Sequence, residues 1–405
     1  MDFQVPGLDD PRRREVREWL EANPSPSPRA LAAAGLVAPH WPRPWGLGAD
    51  PIHQLIIDDE LHKAGVRRPA NPLGIGWAGP TILHAGTDEQ KERYILRLLS
   101  GEDFWCQLFS EPGSGSDLAN LGTRAVLDGD EWVVNGQKIW TSGAQHAKYG
   151  ILIARTHPDL PKHRGVSYFI CPMDLPGIEI RPIREMTGAA TFNEVFFENV
   201  RIPAANLVGE AGDGWRLAKV TLGNERVSLS SGGVLWGSGP TALEMLDAVR
   251  TSGPVHDPVM RQRLASVYIE HTLLVLIRMR TLSARLRGEQ PGPEASIRKI
   301  LADEHGQHVM AAARDLLGAD GMLRSAEAER GAHNGLGGGG GVGLRPLDHP
   351  GWFDGYMFAR ALTIGGGTGE VQRNIVAERV LGLPHDVDVL RGLNWSETQR
   401  QSAVR

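Results

Sequence analysis

Between Trp105 and Gly214 the spacing of apolar residues falls to two, in short β-branched runs separated by turn residues, while on both sides of this stretch it follows the helical period. A chain that changes period twice is built in series: helices, then strands, then helices, with no interleaved α/β sheet. At 405 residues it is also longer than one hydrophobic core usually organises. The expected fold class is therefore α+β and multidomain. Its three parts are an N-terminal helical domain over 1–104, a middle β domain over 105–214, and a C-terminal helical domain over 215–405.

Local signals fill in these parts. Asp10-Pro11 opens a helix with a cap residue and a proline in the first turn, and Val16, Trp19 and Leu20 follow at helical spacing. Further helices fit His53 to Ala64 and Asp88 to Leu99, the latter capped by Thr87 with Asp88 and Glu89 at the positive end of its dipole. Asn135-Gly136, between Glu131–Val134 and Gln137–Trp140, predicts a two-residue hairpin turn. Strands are expected at Gly150–Ala154, Val166–Cys171, Ile178–Ile183 and Asn193–Val200. The glycine-rich run Gly331–Gly343 lacks the preceding strand and following helix of a phosphate cradle and reads as a surface insertion.

Composition excludes several functions. Net charge is -5, pI is about 6.3, and Lys and Arg are interspersed with acids, so no nucleic-acid surface is expected. The start lacks a signal peptide, and no stretch of about 18 apolar residues suggests a membrane span, so a cytoplasmic location is expected. Cys106 and Cys171 are too few and too far apart for a cluster or disulfide framework and read as reduced core residues. The 14 histidines are scattered, so no metal site is expected.

Chemistry enters at two segments of the middle domain. Glu111-Pro112-Gly113-Ser114-Gly115-Ser116-Asp117 combines tight backbone approach with hydroxyls suited to an anion or a flavin edge, though alone it could be a plain loop. Trp140-Thr141-Ser142-Gly143 offers an aromatic face beside small hydrogen-bonding groups, as a planar ring system requires. Gly86-Thr87-Asp88-Glu89-Gln90-Lys91, Asn193-Glu194-Val195-Phe196-Phe197, Asn224-Glu225-Arg226 and Gly366-Gly367-Thr368-Gly369-Glu370-Val371-Gln372-Arg373-Asn374 complete a pattern spread over nearly the whole chain. With these motifs in this order, the chain resembles the acyl-CoA dehydrogenase family.

The resemblance implies a helical N-terminal domain, a β-barrel-like middle domain and a C-terminal four-helix bundle, with FAD as cofactor. It implies that Leu108, Phe109, Ser110, Ser116, Trp140, Thr141 and Ser142 meet the flavin part of FAD, and that Thr368 and Glu370 meet its dinucleotide part. Ser116, Arg226 and Gly366 would contact the thioester substrate. The implied reaction takes an α-proton from an acyl-CoA and passes hydride from the β-carbon to flavin, giving the trans-2-enoyl-CoA. Electrons would then go to an electron-transferring flavoprotein.

In one branch of the family the base is a glutamate directly before the Gly-Thr of the C-terminal motif, where this chain has Gly366. A second branch carries it on the first helix of the C-terminal domain, before an arginine, which matches Glu225-Arg226. The spacing agrees, since Ala218, Leu222, Glu225 and Leu229 fall on one stripe of a helix, so the carboxylate lies on an apolar face. The plainer reading of Glu225 is a surface charge or a structural ion pair. The family's Arg-x-x-Phe-Gly contact to FAD is missing from Ser252–Arg263. Arg261, Arg263 or a partner chain would have to replace it. The expected assembly is a homodimer or homotetramer, with a heteromer of two dehydrogenase-like chains as the alternative. Rival functions on the same fold are an acyl-CoA oxidase, another oxygen-using flavoenzyme, and a non-catalytic partner subunit.

Overall fold

The computed structural model describes residues 7, 9–229, 234–236, 240–286, 292–319, 351–387, 390 and 392–403. The first part is helical: α1 (Pro11–Ala22), α2 (Pro28–Ala33), α3 (Pro51–Lys63), α4 (Gly79–Ala85) and α5 (Asp88–Leu99). The first three open in one way, with proline in the first turn behind an Asp10, Ser27 or Asp50 side chain that accepts a backbone N–H. In α5 Thr87 and Gln90 form a reciprocal capping box.

Eight strands follow: β1 (Trp105–Leu108), β2 (Arg124–Asp128), β3 (Glu131–Ser142), β4 (Tyr149–Arg155), β5 (Val166–Pro172), β6 (Ile178–Ile183), β7 (Phe192–Pro203) and β8 (Leu207–Val208). They form one sheet in the order β6-β7-β3-β2-β4-β5-β8, with β1 parallel to β4. The sheet curls around its own core of Leu108, Val134, Leu152, Phe169, Val195 and Ile202, giving the barrel-like form. Ile151, Ile153, Tyr168 and Ile170 point the other way, into the core shared with the N-terminal helices. Burial on both faces is why β4 and β5 read as continuous apolar runs.

The hairpin expected at Asn135-Gly136 is absent. β3 runs through both residues, and the two-residue turn is at Gly129-Asp130, where Gly129 takes φ +64° between the paired Asp128 and Glu131. Asn135-Gly136 instead forms a bulge against β7, where the Asn135 side chain receives the Asn199 N–H and donates to Asn199 Oδ1. A Cβ on Gly136 would lie 2.5 Å from Thr123 Oγ1, so glycine is needed there for close approach as well as for its φ of +151°.

The last part is helical again: α6 (Gly214–Leu229), α7 (Ala242–Ser252), α8 (Pro258–Leu286), α9 (Ala295–Leu317), α10 (Gly351–Phe358), α11 (Gly369–Ile375) and α12 (Trp395–Ala403). The long helices α6 to α9 pack as a bundle with Met245, Leu264, Val309, Met310 and Trp352 in or against its core. No described helix is long and apolar enough to cross a membrane. Gly331–Gly343 lies outside the described residues. Both cysteines are free and buried, with Cys106 Sγ 3.8 Å from Met173 Sδ.

Candidate active site at the three-domain junction

Helix α6 starts where Gly214 lies against the backbone of Ser167, so close that a Cβ would be 2.5 Å from its carbonyl carbon. One hydroxyl cluster then fixes the helix to both other domains: Thr221 Oγ1 lies 2.8 Å from Thr81 Oγ1 of α4 and 3.0 Å from Tyr168 OH of β5. All three groups are buried, and burial raises the Tyr168 phenol, so the cluster stays neutral and hydrogen-bonded.

Glu225 is one turn further along α6, on the same face as Thr221. Its residue is only 6% exposed, which answers the alternative of a surface charge. Gln107 Nε2 of β1 donates to Glu225 Oε2 at 3.5 Å. The carboxylate therefore sits beside the strand that leads directly into Leu108, Phe109 and Ser110. Gln107, Thr81 and Tyr168 lie on three separate elements, and nothing in their local segments groups them; the continuous apolar run of β5 marks a buried strand without naming a partner for Tyr168.

The aromatic expected beside a ring lies on β3, and a second bulge decides its direction. Trp132, Val134 and Lys138 point inward at even positions, and Trp140 would follow them. The pairing with β7 shifts between Lys138 and Thr141, and Trp140 adopts φ +59°, so its side chain turns outward and is 58% exposed. It rests edge-on against Phe192, with ring centroids 6.0 Å apart. The same shift turns Thr141 inward, where its Oγ1 is buried with no partner among the described residues. Ser142 is half-buried at the strand end.

The segment opposite is held from below by a buried ion pair missing from the expected site. Lys138, fully buried, donates to Phe109 O at 3.0 Å and to Glu111 Oε1 at 2.7 Å. Glu111 in turn receives the N–H groups of Gly122 and Thr123 at 2.7 and 2.9 Å. Burial opposes the Glu111 charge, but Lys138 outweighs it and holds the carboxyl below its ordinary range; burial likewise lowers Lys138. Ser110 O accepts from Ile139 N at 2.9 Å, Phe109 is buried, and Ser116 is exposed on the loop. A lysine at an inward position of a strand was the available sequence signal for this pair.

The remaining expected residues lie at the turn before α11. Gly366 and Gly367 take φ +67° and +89°, and the Gly366 carbonyl accepts from Gln372 Nε2 at 3.1 Å. The Gly366 N–H makes no hydrogen bond among the described residues. Thr368 caps α11 by accepting from Val371 N, and Glu370 is exposed. Between α9 and α11 lies a cavity of about 320 Å³, lined by Asp303, Glu304, Thr368, Glu370 and Arg373 among others. No hydrogen bond joins this group to the β1–β3 group among the described residues. The Arg226 side chain lies outside the described residues. Arg263 is engaged within its own chain, 2.5 Å from Asp315.

Three domains thus meet one turn from a buried carboxylate, with an outward-turned tryptophan on the neighbouring sheet. The chain belongs to the acyl-CoA dehydrogenase family: that family's N-terminal domain matches residues 10–102, its middle domain 106–200 and its C-terminal domain 212–381. Family members are FAD-dependent flavoproteins. Acyl-CoA dehydrogenase IpdE1 of Mycobacterium tuberculosis is 37% identical over 94% of this chain and 91% of its own length. Acyl-CoA dehydrogenase FadE34 of Mycobacterium tuberculosis is 42% identical over 88% of this chain, which spans only 46% of that relative. Among solved structures, the Tcur3481-Tcur3483 steroid ACAD is similar at a TM-score of 0.75 and 30% identity, covering 95% of this chain and all (100%) of its own. The ChsE4-ChsE5 complex of Mycobacterium tuberculosis matches at 0.72 and 32%, covering 95% and 100%.

Proposed function

We propose that the chain catalyses FAD-dependent α,β-dehydrogenation of an acyl-CoA thioester to the trans-2-enoyl-CoA, with Glu225 as the base and an electron-transferring flavoprotein as electron acceptor. The carrying observation is the buried Glu225 carboxylate, beside β1 and one turn beyond the hydroxyl cluster that joins the three domains.

The residues present fit FAD. Trp140 presents an exposed aromatic face, the next residue buries a hydroxyl, Thr141 Oγ1, with no partner among the described residues, and the Gly366–Gly367 turn has no side chain to obstruct an approaching group. Leu108, Phe109, Ser110, Ser116, Trp140, Thr141 and Ser142 would hold the flavin part, and Thr368 and Glu370 the dinucleotide part. Bound there, FAD supplies the oxidant for the substrate's β-carbon.

The chain's own groups do the rest. The Gln107 amide fixes the rotamer of Glu225, whose carboxylate takes the α-proton from a position with few competing waters. The Gly366 N–H donates to the thioester carbonyl oxygen as negative charge develops on it, while Ser116 and Arg226 bind the rest of the thioester.

A bulky, steroid-derived acyl group is the proposed substrate class. Support comes from the base on the bundle helix and from similarity to a protein named a steroid ACAD. The proposed working form is an oligomer, in which a neighbouring chain supplies the FAD contact that Arg-x-x-Phe-Gly supplies elsewhere. Support comes from α8, which leaves Tyr268, Ile269, Leu273, Leu276 and Met279 exposed.

Glu225→Gln tests the assignment. The variant should retain flavin but lose about a hundred- to ten-thousandfold in acyl-CoA-dependent flavin bleaching, the range for removal of a positioned base. Near-normal bleaching would remove Glu225 from the mechanism. Peroxide formation in place of reduced electron-transferring flavoprotein would reassign the chain as an oxidase.

A further inference from the structure

The last described helix, α12, leaves the bundle region and docks on the middle domain. Its first residue, Trp395, donates through Nε1 to Asn120 O at 3.2 Å and through its backbone N–H to Leu160 O at 2.9 Å. Gln399 Nε2 donates to Asn120 Oδ1 at 2.7 Å, and Ser396 holds Pro158 O through both its N–H and its hydroxyl.

Beneath the Trp395 ring lies Arg155, only 1% exposed, with its guanidinium carbon 4.9 Å from the ring centroid. Among the described residues Arg155 has no carboxylate in hydrogen-bond contact, and it spends its donors on carbonyls instead. It reaches Ala119 O at 2.6 Å, Leu121 O at 3.1 Å and Lys162 O at 2.7 Å. Three consecutive carbonyls, those of Ala119, Asn120 and Leu121, are thus held alternately by Arg155 from inside and Trp395 from outside. They end the short 3₁₀ turn Leu118–Asn120, which directly follows the exposed loop carrying Ser116. Lys162 closes the same loop by pairing with Asp117 at 2.9 Å.

We propose that Trp395 is a positioning residue for coenzyme A binding: α12 moors the Leu118–Asn120 turn, and through it holds the Ser114–Asp117 segment where it meets the thioester arm. This rests on the acyl-CoA reading above. Without Trp395, Asn120 O loses its donor and the Arg155 guanidinium its cover, so the turn gains alternatives and the bound form must be ordered at binding.

The test compares the full-length chain, purified with its flavin, with Trp395→Ala, Trp395→Phe and Gln399→Ala. The readouts are flavin content and the Kd for free coenzyme A by calorimetry. Trp395→Ala should raise Kd about tenfold, and Trp395→Phe, which keeps the ring over Arg155 and loses only the Nε1 donor, about threefold, both with flavin content unchanged. Should Trp395→Ala fail to fold, Trp395→Phe and Gln399→Ala decide by the same measurement. Equal Kd values in wild type and variants overturn the mooring alone. Flavin lost in step with affinity also overturns it, by making α12 a general structural element. No coenzyme A binding by the wild-type chain overturns the functional reading beneath the proposal.

Discussion

Lys138→Met removes the cation beneath the ring-binding segment while nearly preserving side-chain volume. Lys138 is fully exposed to no solvent at 0%, and Glu111 keeps only 11% of its side chain accessible, so water cannot replace the lost partner. After the change Glu111 retains two backbone donors, at Gly122 and Thr123, but no hydrogen-bonded counter-charge, only the field of Arg155, and Phe109 O loses the Lys138 donor. Breaking a buried pair from one side costs about 3–5 kcal/mol, a large part of the roughly 5–15 kcal/mol that holds a domain folded. The apparent Tm should fall by roughly 10 °C. The pH dependence carries the sign. In wild type the depressed Glu111 pKa gives a stabilisation that is complete above the unfolded carboxyl value and is lost as pH falls through the folded one. In Lys138→Met burial is opposed only by the Gly122 and Thr123 N–H groups and by Arg155, which makes no hydrogen bond to Glu111, so the carboxyl rises from its wild-type position and acidification relieves the buried charge. The stability gap between the two proteins should therefore narrow as pH is lowered from about 7 towards 4 in urea titrations. Adding Glu111→Gln should recover about 1–2 kcal/mol at neutral pH by removing the stranded charge. A gap that stays constant with pH, or a double variant no more stable than Lys138→Met, would refute the coupling.

Two further outcomes are expected. Gly136→Ala places a Cβ 2.5 Å from Thr123 Oγ1 and 2.7 Å from Thr123 Cα at φ +151°, so it should cost about 1–3 kcal/mol in denaturant melts. Asp303, 2.5 Å from the buried Lys299, is pushed up to about 6 by burial that Lys299 only partly offsets. A raised carboxyl pKa makes the folded state the better proton binder, so this group's contribution is most favourable below about 4 and is lost as pH rises to about 6. Asp303→Asn, which stays neutral, should gain stability relative to wild type over that interval, and parallel urea midpoints at both pH values would contradict it.

What the sequence made legible was short-range. The Thr87 cap of α5, the Asp10-Pro11 start of α1 and the runs of β4 and β5 depend on residues within a few positions, and they appear where their local chemistry put them. The three-part architecture followed from period alone. Asn135-Gly136 went wrong for a reason outside its own segment. The same dipeptide serves a turn or a bulge, and Asn199 on β7, which binds the Asn135 side chain, decides for the bulge. Trp140 depended likewise on a shift in pairing that strict alternation does not carry.

The site divides in the same way. Glu225 is singled out by the family resemblance of Glu225-Arg226, and the helical stripe that carries it agrees, since a helix repeats its own face without knowledge of what it packs against. The groups around it come from α4, β1 and β5, and only the closed fold brings Thr81, Gln107 and Tyr168 to α6. Arg155 and Trp395 are further apart still, and each alone reads as an ordinary residue of a strand end and a helix start. Their meaning arises from unpaired carbonyls: a turn that presents three in succession requires donors from both sides, and the chain supplies one from the sheet and one from its last described helix. The proposed base is thus visible from resemblance and spacing, whereas the groups packed around it become visible only when each buried polar group is asked where its partner lies.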